Sequence, residues 1–255
     1  MRNAPERLSF SIDAQDGKAR TGTISTVHGD ISTPAFIPLA TTAAVRGLDT
    51  DEVADLGYEM VLGNTFHLFL RPGAGRVAEL GGLHEFMRWG GAIITDSGGF
   101  QVFSLAHGNV ADEIKGRRGG AGNHGSIIEI AEEGVRFRSY LDGVEKFMGP
   151  EESMGVQAAL GSDIALVFDE CTPYHADYDY TARSTERTHR WLDRCTRWHE
   201  PNAPAGQALF GIVQGGVHED LRRASAGGSP GPRSTASRSE ARWAATSRRC
   251  APYWT

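Results

Sequence analysis

Cysteine is scarce in this sequence. The 255 residues include three cysteines, Cys171, Cys195 and Cys250, and none of them stands in a C-x-x-C pair. An odd number of isolated cysteines excludes a disulfide framework and a cysteine-rich zinc site. The residues therefore predict no metal-ligand set, and a reducing compartment such as the cytoplasm is expected.

Long apolar runs are missing as well. The longest purely apolar stretches have about five residues, as at positions 164–168, whereas a membrane-spanning helix needs roughly 20. The chain does not open with the basic and apolar segments of a signal peptide. We therefore expect a cytoplasmic protein that does not contact a membrane.

Positive charge is not in excess either. The net charge is −6 at pH 7, which disfavours a protein that coats nucleic acid, because phosphate binding of that kind needs clustered Lys and Arg. Lys115, Arg117 and Arg118 form one basic cluster, and it lies in a glycine-rich stretch. Its simplest interpretation is a solvated loop.

What the sequence does contain is a set of short apolar runs of strand length. They lie at 33–39, 60–64, 92–96, 163–169 and 208–214. They lack polar alternation, which is typical of parallel strands covered on both faces. Helix-like segments, such as 49–56 and 181–199, lie between most of them. The pattern predicts an α/β protein, with a (β/α)8 barrel favoured over a doubly wound sheet.

Four of these runs end in a polar residue that precedes loop-forming residues. These residues are Asn64, Asp96, Asp169 and Gln214. The carboxyl ends of parallel strands meet at one side of the sheet, where a barrel holds its active site. We therefore expect the four side chains to converge.

Two segments with alternating residues predict antiparallel hairpins. One lies near the N-terminus with its turn at Asp16-Gly17, and the other follows position 134 with its turn at Asp142-Gly143. Asp-Gly between alternating apolar residues is a strong hairpin signal. The second hairpin is predicted to be an insertion in the α/β unit.

The stretch around Asp96 has the composition of a site for a flat ligand. Asp96 is followed by Ser97, Gly98, Gly99 and Phe100. The glycines allow a ligand to approach the backbone, and the ring of Phe100 offers a face for stacking a base. The alternative is that Asp96 only caps a turn.

Asp169 and Gln214 suit the edge of a purine. A carboxylate accepts the paired N–H donors of guanine, and an amide has the donor that guanine's carbonyl needs. Both residues also fit a purely structural role, in which they satisfy loop amides at strand ends. The residues alone leave this alternative open.

Four stretches carry a resemblance to a known family. They are GNTFHLFLRPG (63–73), TDSGGFQVFSL (95–105), SDIALVFDECTPY (162–174) and LFGIVQGG (209–216). In collinear order they resemble the bacterial tRNA-guanine transglycosylases, also called queuine tRNA-ribosyltransferases. The resemblance runs from about Leu8 to Ala226.

The resemblance implies a (β/α)8 barrel pentosyltransferase of queuosine biosynthesis. Such an enzyme exchanges guanine at the anticodon wobble position of tRNA for 7-aminomethyl-7-deazaguanine, by double displacement at the ribose carbon. It also implies a homodimer and a structural zinc ion. The expected partners are therefore tRNA and guanine or the deazaguanine.

Matched residue by residue, the resemblance assigns roles to positions of this sequence. Asp96 matches the general acid/base aspartate. Asp169 and Gln214 match the residues that read the guanine-like edge, and Cys171 matches the bacterial form of the pocket. Asn64 supports the pocket from the preceding strand. The pocket lining is Ser97, Gly98, Gly99 and Phe100.

The sequence departs from the family after Ala226. In the family the nucleophilic aspartate and the Cys/His zinc ligands follow the QGG motif, and neither is recognisable here. Residues 227–255 contain no Ile, Leu, Val, Met or Phe and carry five Arg against one Glu, a composition that predicts disorder. We expect residues 1–226 to form an incomplete barrel with about five of the eight strands. Residues 227–255 are predicted to be a non-homologous tail of the kind that a frameshift produces. We also expect no exchange activity from this chain.

Two other functions are consistent with the residues. The chain could be a non-catalytic partner of a complete transglycosylase subunit, retaining the base pocket. It could instead be a glycosidase that uses Asp96 and Asp169 as its carboxylate pair, which requires the two carboxyl groups to lie about 5–9.5 Å apart. The small residues beside Phe100 argue against the glycosidase.

Overall fold

The structure is a computed structural model that describes residues 8–104 and 127–228. The described residues form two compact units. The first unit comprises residues 8–97, 154–166 and 198–209. The second comprises residues 98–104, 127–153, 167–197 and 210–228.

The first unit begins with a three-stranded antiparallel sheet. Its strands are β1 (Ser9–Asp16), β2 (Ala19–Thr26) and β3 (Gly29–Thr33), in the order β1-β2-β3. The turn from β1 to β2 pairs Asp16 with Ala19 and places Gly17 at φ 57°, a left-handed conformation that glycine adopts without strain. The predicted N-terminal hairpin is confirmed, and β3 extends it by one strand.

In the rest of the described chain, helices separate the strands that the apolar runs predict, and three further strands are inserted before residue 150. From residue 39 to residue 104 they are β4 (Leu39–Ala40), α1 (Thr50–Asp55), β5 (Met60–Gly63), α2 (Thr65–Leu70), α3 (Ala74–Glu79), α4 (Gly82–Met87), β6 (Ala92–Thr95) and α5 (Gly99–Ser104). From residue 127 onward they are β7 (Ile127–Ile130), β8 (Val135–Arg138), β9 (Glu145–Met148), α6 (Pro150–Leu160), β10 (Ile164–Leu166), α7 (Tyr178–Asn202), β11 (Ala208–Phe210) and α8 (Glu219–Gly228).

A five-stranded sheet is formed by β4, β5, β6, β10 and β11. Its order is β11-β10-β6-β5-β4, and β4 with β5, β5 with β6 and β6 with β10 pair in parallel. Leaving out the insertion strands, the order follows the chain from one strand to the next, which is the arrangement of strands in a (β/α)8 barrel. The α/β fold with a parallel sheet and added hairpins is thus confirmed.

One predicted strand is wrong. The run at 33–39 was expected to be a single strand, but β3 ends at Thr33 and β4 begins at Leu39. Two prolines, Pro34 and Pro38, stand between them. Because proline lacks an N–H group and cannot donate to a β-ladder, the segment between these strands is irregular.

The core of the first unit lies between the sheet and its helices. Val61 and Ile93 from the strands are buried in one apolar cluster with Leu68, Leu83 and Leu160 from the helices. Strands that helices cover need continuous apolar sequences, because their side chains are buried.

The helix predicted at 49–56 is present as α1. Asp49 is its N-cap, and Asp49 and Glu52 form a reciprocal capping box. Each of these side chains accepts a hydrogen bond from the backbone N–H of the other residue, at 2.8 Å in both cases. Two N–H groups at the start of the helix are satisfied in this way, which explains where α1 begins.

The second unit contains the predicted insertion and residues 178–197 of the longest helix among the described residues. Strands β7, β8 and β9 form an antiparallel sheet, and the turn between β8 and β9 contains Asp142-Gly143. The insertion hairpin is therefore confirmed, with β7 as a third strand. The basic cluster at 115–118 and residues 229–255 of the predicted tail lie outside the described residues.

Candidate base-binding site

Asn64 and Asp96 lie side by side because they follow neighbouring parallel strands. Gly63, the last residue of β5, is in register with Thr95, the last residue of β6. Nδ2 of Asn64 donates a hydrogen bond to Oδ2 of Asp96 at 2.6 Å. The structure thus brings together two of the four polar residues that the sequence places at strand ends.

Thr65 adds two further bonds to Asp96. Its backbone N–H donates to Oδ1 of Asp96 at 2.8 Å, and its hydroxyl donates to the backbone carbonyl of Asp96 at 2.5 Å. Thr65 is fully buried. Both carboxylate oxygens of Asp96 therefore accept a hydrogen bond, and its main chain is held as well. The sequence motifs did not single out Thr65, although its position directly after Asn64 was a usable signal.

Asn64 also begins helix α2. Its Oδ1 accepts the backbone N–H of His67 at 3.0 Å, so Asn64 is the N-cap of this helix. The amide is held at both of its ends, which fixes which atom faces Asp96. A single residue thus starts the helix and orients the carboxylate.

The residues after Asp96 lead directly into helix α5. Ser97 is buried, Gly98 adopts φ 81°, and helix α5 begins at Gly99. The positive φ of Gly98 is strained for any residue with a side chain. Phe100 is 40% exposed, and stacking on a base requires exposure of this kind.

Asp169 and Gln214 form the second polar pair. Nε2 of Gln214 donates to Oδ2 of Asp169 at 2.6 Å, and Asp169 is buried. Both residues lie beyond the strands, since β10 ends at Leu166 and β11 at Phe210. The strands are shorter than the apolar runs predicted, so this pair belongs to loops rather than to strand ends.

The predicted convergence of all four polar residues stays a prediction. Asn64 and Asp96 belong to the first compact unit, and Asp169 and Gln214 belong to the second. The roles assigned to the individual residues also stay predictions at this point.

Gln214 is held by partners that the sequence motifs did not indicate. Its backbone N–H donates to Oγ of Ser225 at 3.1 Å, and this hydroxyl lies 2.9 Å from Nε2 of His189. Burial lowers the pKa of His189, so the ring is neutral at pH 7 and Nε2 can accept the hydroxyl proton. His189 and Ser225 are distant from Gln214 in sequence, and no local pattern links them to it.

The two described cysteines differ in environment. Cys171, expected in the pocket, is partly exposed, whereas Cys195 is buried and burial raises its pKa to about 12. A thiol with that pKa stays protonated at neutral pH and is unreactive. Cys171 is therefore the described cysteine whose exposure is compatible with a ligand site.

The resemblance implies a structural zinc ion, and the described residues contain a candidate group of ligands for it. Among residues 8–104 and 127–228, His28, His84 and Asp163 are close enough to share an ion. However, the two imidazole rings are stacked, with centroids 3.6 Å apart and planes inclined by 19°. Ring nitrogens direct their lone pairs within the ring plane, so those of stacked parallel rings do not converge on one ion at about 2.0 Å. These residues do not fit a tetrahedral zinc site.

The two polar pairs suit different chemical tasks, namely proton transfer and base recognition. A carboxylate accepts up to about four hydrogen bonds, so Asp96, oriented by Asn64 and Thr65, can also accept a proton from a ligand. An aspartate joined to a glutamine amide presents the donors and acceptors that complement a guanine edge. Neither function requires a redox group or a metal ion.

The fold and these residues define a class of protein. A parallel sheet whose strands are joined by helices, with polar side chains in the loops after the strands, is typical of (β/α)8-barrel enzymes. Within that class, the family model for queuine tRNA-ribosyltransferase matches residues 15–229. The chain therefore belongs to the queuine tRNA-ribosyltransferase family, and the predicted family is confirmed.

Curated relatives carry the same family name. A queuine tRNA-ribosyltransferase from Roseiflexus sp. (strain RS-1) is 50% identical over 230 residues, which is 86% of this chain and 58% of that protein. The one from Halothermothrix orenii is 49% identical over 82% of this chain and 50% of its own length. The one from Pseudomonas aeruginosa is 49% identical over 87% of this chain and 54% of its own length. The chain spans about half the length of the curated relatives it matches.

No helix within the described residues combines sufficient length and apolar character to cross a membrane.

Proposed function

We propose that this chain carries the base-recognition part of a tRNA-guanine transglycosylase. The observation that carries the proposal is the pairing of Asp169 with Gln214 at 2.6 Å, at positions that match the base-reading residues of the family. The relatives' names specify a queuine tRNA-ribosyltransferase, and their substrate class is proposed for this chain on that basis.

In the proposed binding mode, the carboxylate of Asp169 accepts the N1–H and exocyclic N–H donors of guanine. The amide nitrogen of Gln214 has two hydrogens; one bonds Asp169, and the second donates to the O6 carbonyl of the base. Hypoxanthine lacks the exocyclic amine and would leave part of the buried carboxylate unpaired. Guanine should therefore bind more tightly than hypoxanthine.

The proposed reaction is a double displacement on tRNA. An enzyme carboxylate bonds to the ribose C1′ as the C1′–N9 bond to guanine breaks, and Asp96, acting as the general acid, donates a proton to N9 of the departing guanine. The incoming 7-deazaguanine then loses its N9 proton to Asp96 and bonds to C1′, and the enzyme carboxylate leaves. The attacking carboxylate is not assigned to a residue of this chain.

Calorimetric titration of the 255-residue chain with guanine and with hypoxanthine tests the recognition step. Wild type should bind guanine, and Asp169→Asn should lose about 10-fold or more in affinity, the loss expected for a charge-assisted hydrogen bond. Asp193→Asn is the matched control, since Asp193 is an exposed aspartate of the same unit. Absence of guanine binding to wild type would refute the proposal.

Incorporation of labelled guanine into tRNA tests the chemical step. The expectation from the sequence is that the 255-residue chain alone shows no incorporation. If incorporation is observed, that expectation is wrong, and Asp96→Asn should then abolish it without weakening guanine binding. An Asp96→Asn variant that still exchanges guanine would refute the role of Asp96.

A further inference from the structure

Helix α7 is hydrogen-bonded to the loop that carries Asp169. The neighbouring residue, Glu170, has a fully buried side chain. Its Oε1 accepts the hydroxyl of Tyr180 at 2.7 Å, and its Oε2 accepts Nη1 of Arg187 at 2.6 Å. Tyr180 and Arg187 are seven residues apart, so they lie on one face of the helix. Both carboxylate oxygens of Glu170 are therefore bound to α7.

The backbone of the same loop is bound to α7 on each side of Asp169. The N–H of Glu170 donates to Oγ1 of Thr188 at 3.0 Å, and the N–H of Phe168 donates to Sγ of Cys195 at 3.4 Å. The ring of Phe168 also stacks on Trp191, with centroids 5.0 Å apart. Phe168 and Glu170 are thus both attached to the helix, and the residue between them is directed to Gln214 instead.

Helix α7 reaches Gln214 as well. His189 of α7 contacts the hydroxyl of Ser225, which accepts the backbone N–H of Gln214. Both members of the Asp169–Gln214 pair are therefore held by one helix, through contacts on consecutive residues, Thr188 and His189.

We infer that Glu170, Arg187 and Tyr180 are positioning residues for guanine recognition, because they fix the orientation of Asp169 toward the base. This inference rests on the proposed function. Asp169 provides the hydrogen bonds to the base, and the ionic contact of Glu170 with Arg187 fixes the loop in which Asp169 lies. An Arg–carboxylate contact suits this task because the guanidinium is planar and directional.

The protonation of the donors agrees with this role. Burial, and then the hydrogen bond to Glu170, raise the pKa of Tyr180 far above its usual value. Tyr180 therefore remains a hydrogen-bond donor throughout the physiological pH range.

The experiment measures affinities of the full 255-residue chain for guanine and for hypoxanthine. The readout is the ratio of the two dissociation constants, because only guanine has the amine that the oriented Asp169 recognises. Tyr180→Phe removes one oxygen atom, and Arg187→Gln removes the charge. We expect the preference for guanine to fall about threefold in Tyr180→Phe and about tenfold in Arg187→Gln, with a smaller loss of hypoxanthine affinity, because hypoxanthine shares only the N1–H donor.

Two further variants separate orientation from stability. Arg197→Gln is the matched control, since Arg197 is an exposed arginine of the same helix; it should leave the guanine preference at the wild-type value. Arg187→Lys keeps the charge and should recover part of the preference lost in Arg187→Gln. Thermal unfolding of each variant records any loss of stability separately.

The outcomes distinguish this inference from the proposed function. If wild type prefers guanine and Asp169→Asn removes the preference, but Tyr180→Phe and Arg187→Gln retain it, the positioning role is refuted and the proposed function stands. A lower unfolding temperature in these two variants with an unchanged preference for guanine also refutes the positioning role. If wild type does not bind guanine, both are overturned.

Discussion

Replacement of Asp163 by asparagine should lower the free energy of unfolding, because this carboxylate connects three parts of the first unit. Its side chain is fully buried. Oδ2 accepts the N–H of Ile93 at 2.7 Å, and Oδ1 lies 2.7 Å from Nδ1 of His28. Nε2 of His84 is 3.3 Å from Oδ2. Asparagine has the same shape but only one acceptor oxygen, so one of these contacts faces an NH2 group.

The expected loss follows from the kinds of hydrogen bond involved. Burial raises the pKa of Asp163, but the close contacts with His84 and His28 and the hydrogen bond from the Ile93 N–H outweigh this effect and hold the pKa below its usual value of 3.8. The carboxylate is therefore charged at pH 7, and its contribution to stability is lost only as the pH falls through this lowered pKa. A hydrogen bond to a charged group contributes about 1 kcal/mol more than a neutral one, and a mispaired buried group costs about 1–3 kcal/mol. Asp163→Asn should thus destabilise the protein by about 2–4 kcal/mol.

Urea denaturation at pH 7, followed by tryptophan fluorescence, measures this loss. With a slope of roughly 2 kcal/mol per molar urea, the midpoint should fall by about 1–2 M. Asp30→Asn is the control, since Asp30 is exposed and its substitution should change stability by less than about 0.5 kcal/mol. Equal midpoints for the two variants would refute the reasoning, because the buried carboxylate would then contribute no more than an exposed one.

Two further predictions concern pH and helix capping. Burial lowers the pKa of His67, His189 and His199 from 6.5. Below about pH 6.5 the unfolded chain therefore binds more protons than the folded chain. The free energy of unfolding should be highest above about pH 6.5 and should fall toward about pH 5. Urea midpoints that do not change between these pH values would contradict this. Glu52→Ala should lower stability in thermal unfolding by about 0.5–1 kcal/mol, because it removes half of the capping box with Asp49. Glu52→Gln keeps the acceptor and should show no such loss.

The α/β fold was predictable because its signals are local. Apolar runs of four to seven residues give the strands, and Asp-Gly turns give the hairpins, since both act through neighbours a few residues away. The prediction was wrong at 33–39, where prolines interrupt an apolar run. There the hydrophobic pattern favours a strand, but the prolines cannot donate the hydrogen bonds that a strand needs, so the segment is irregular.

The sequence was sufficient to propose the residues that contact a base. Asp96, Asp169 and Gln214 follow apolar runs and stand in motifs of one family. The residues that hold Asp169 and Gln214 could not be found in this way. Glu170 and Arg187 are hydrogen-bonded although they lie 17 positions apart in the sequence. Ser225 is hydrogen-bonded to both Gln214 and His189. Such contacts depend on where a long helix packs, and no pattern within a few residues encodes that packing, so the supporting residues became identifiable only in the folded chain.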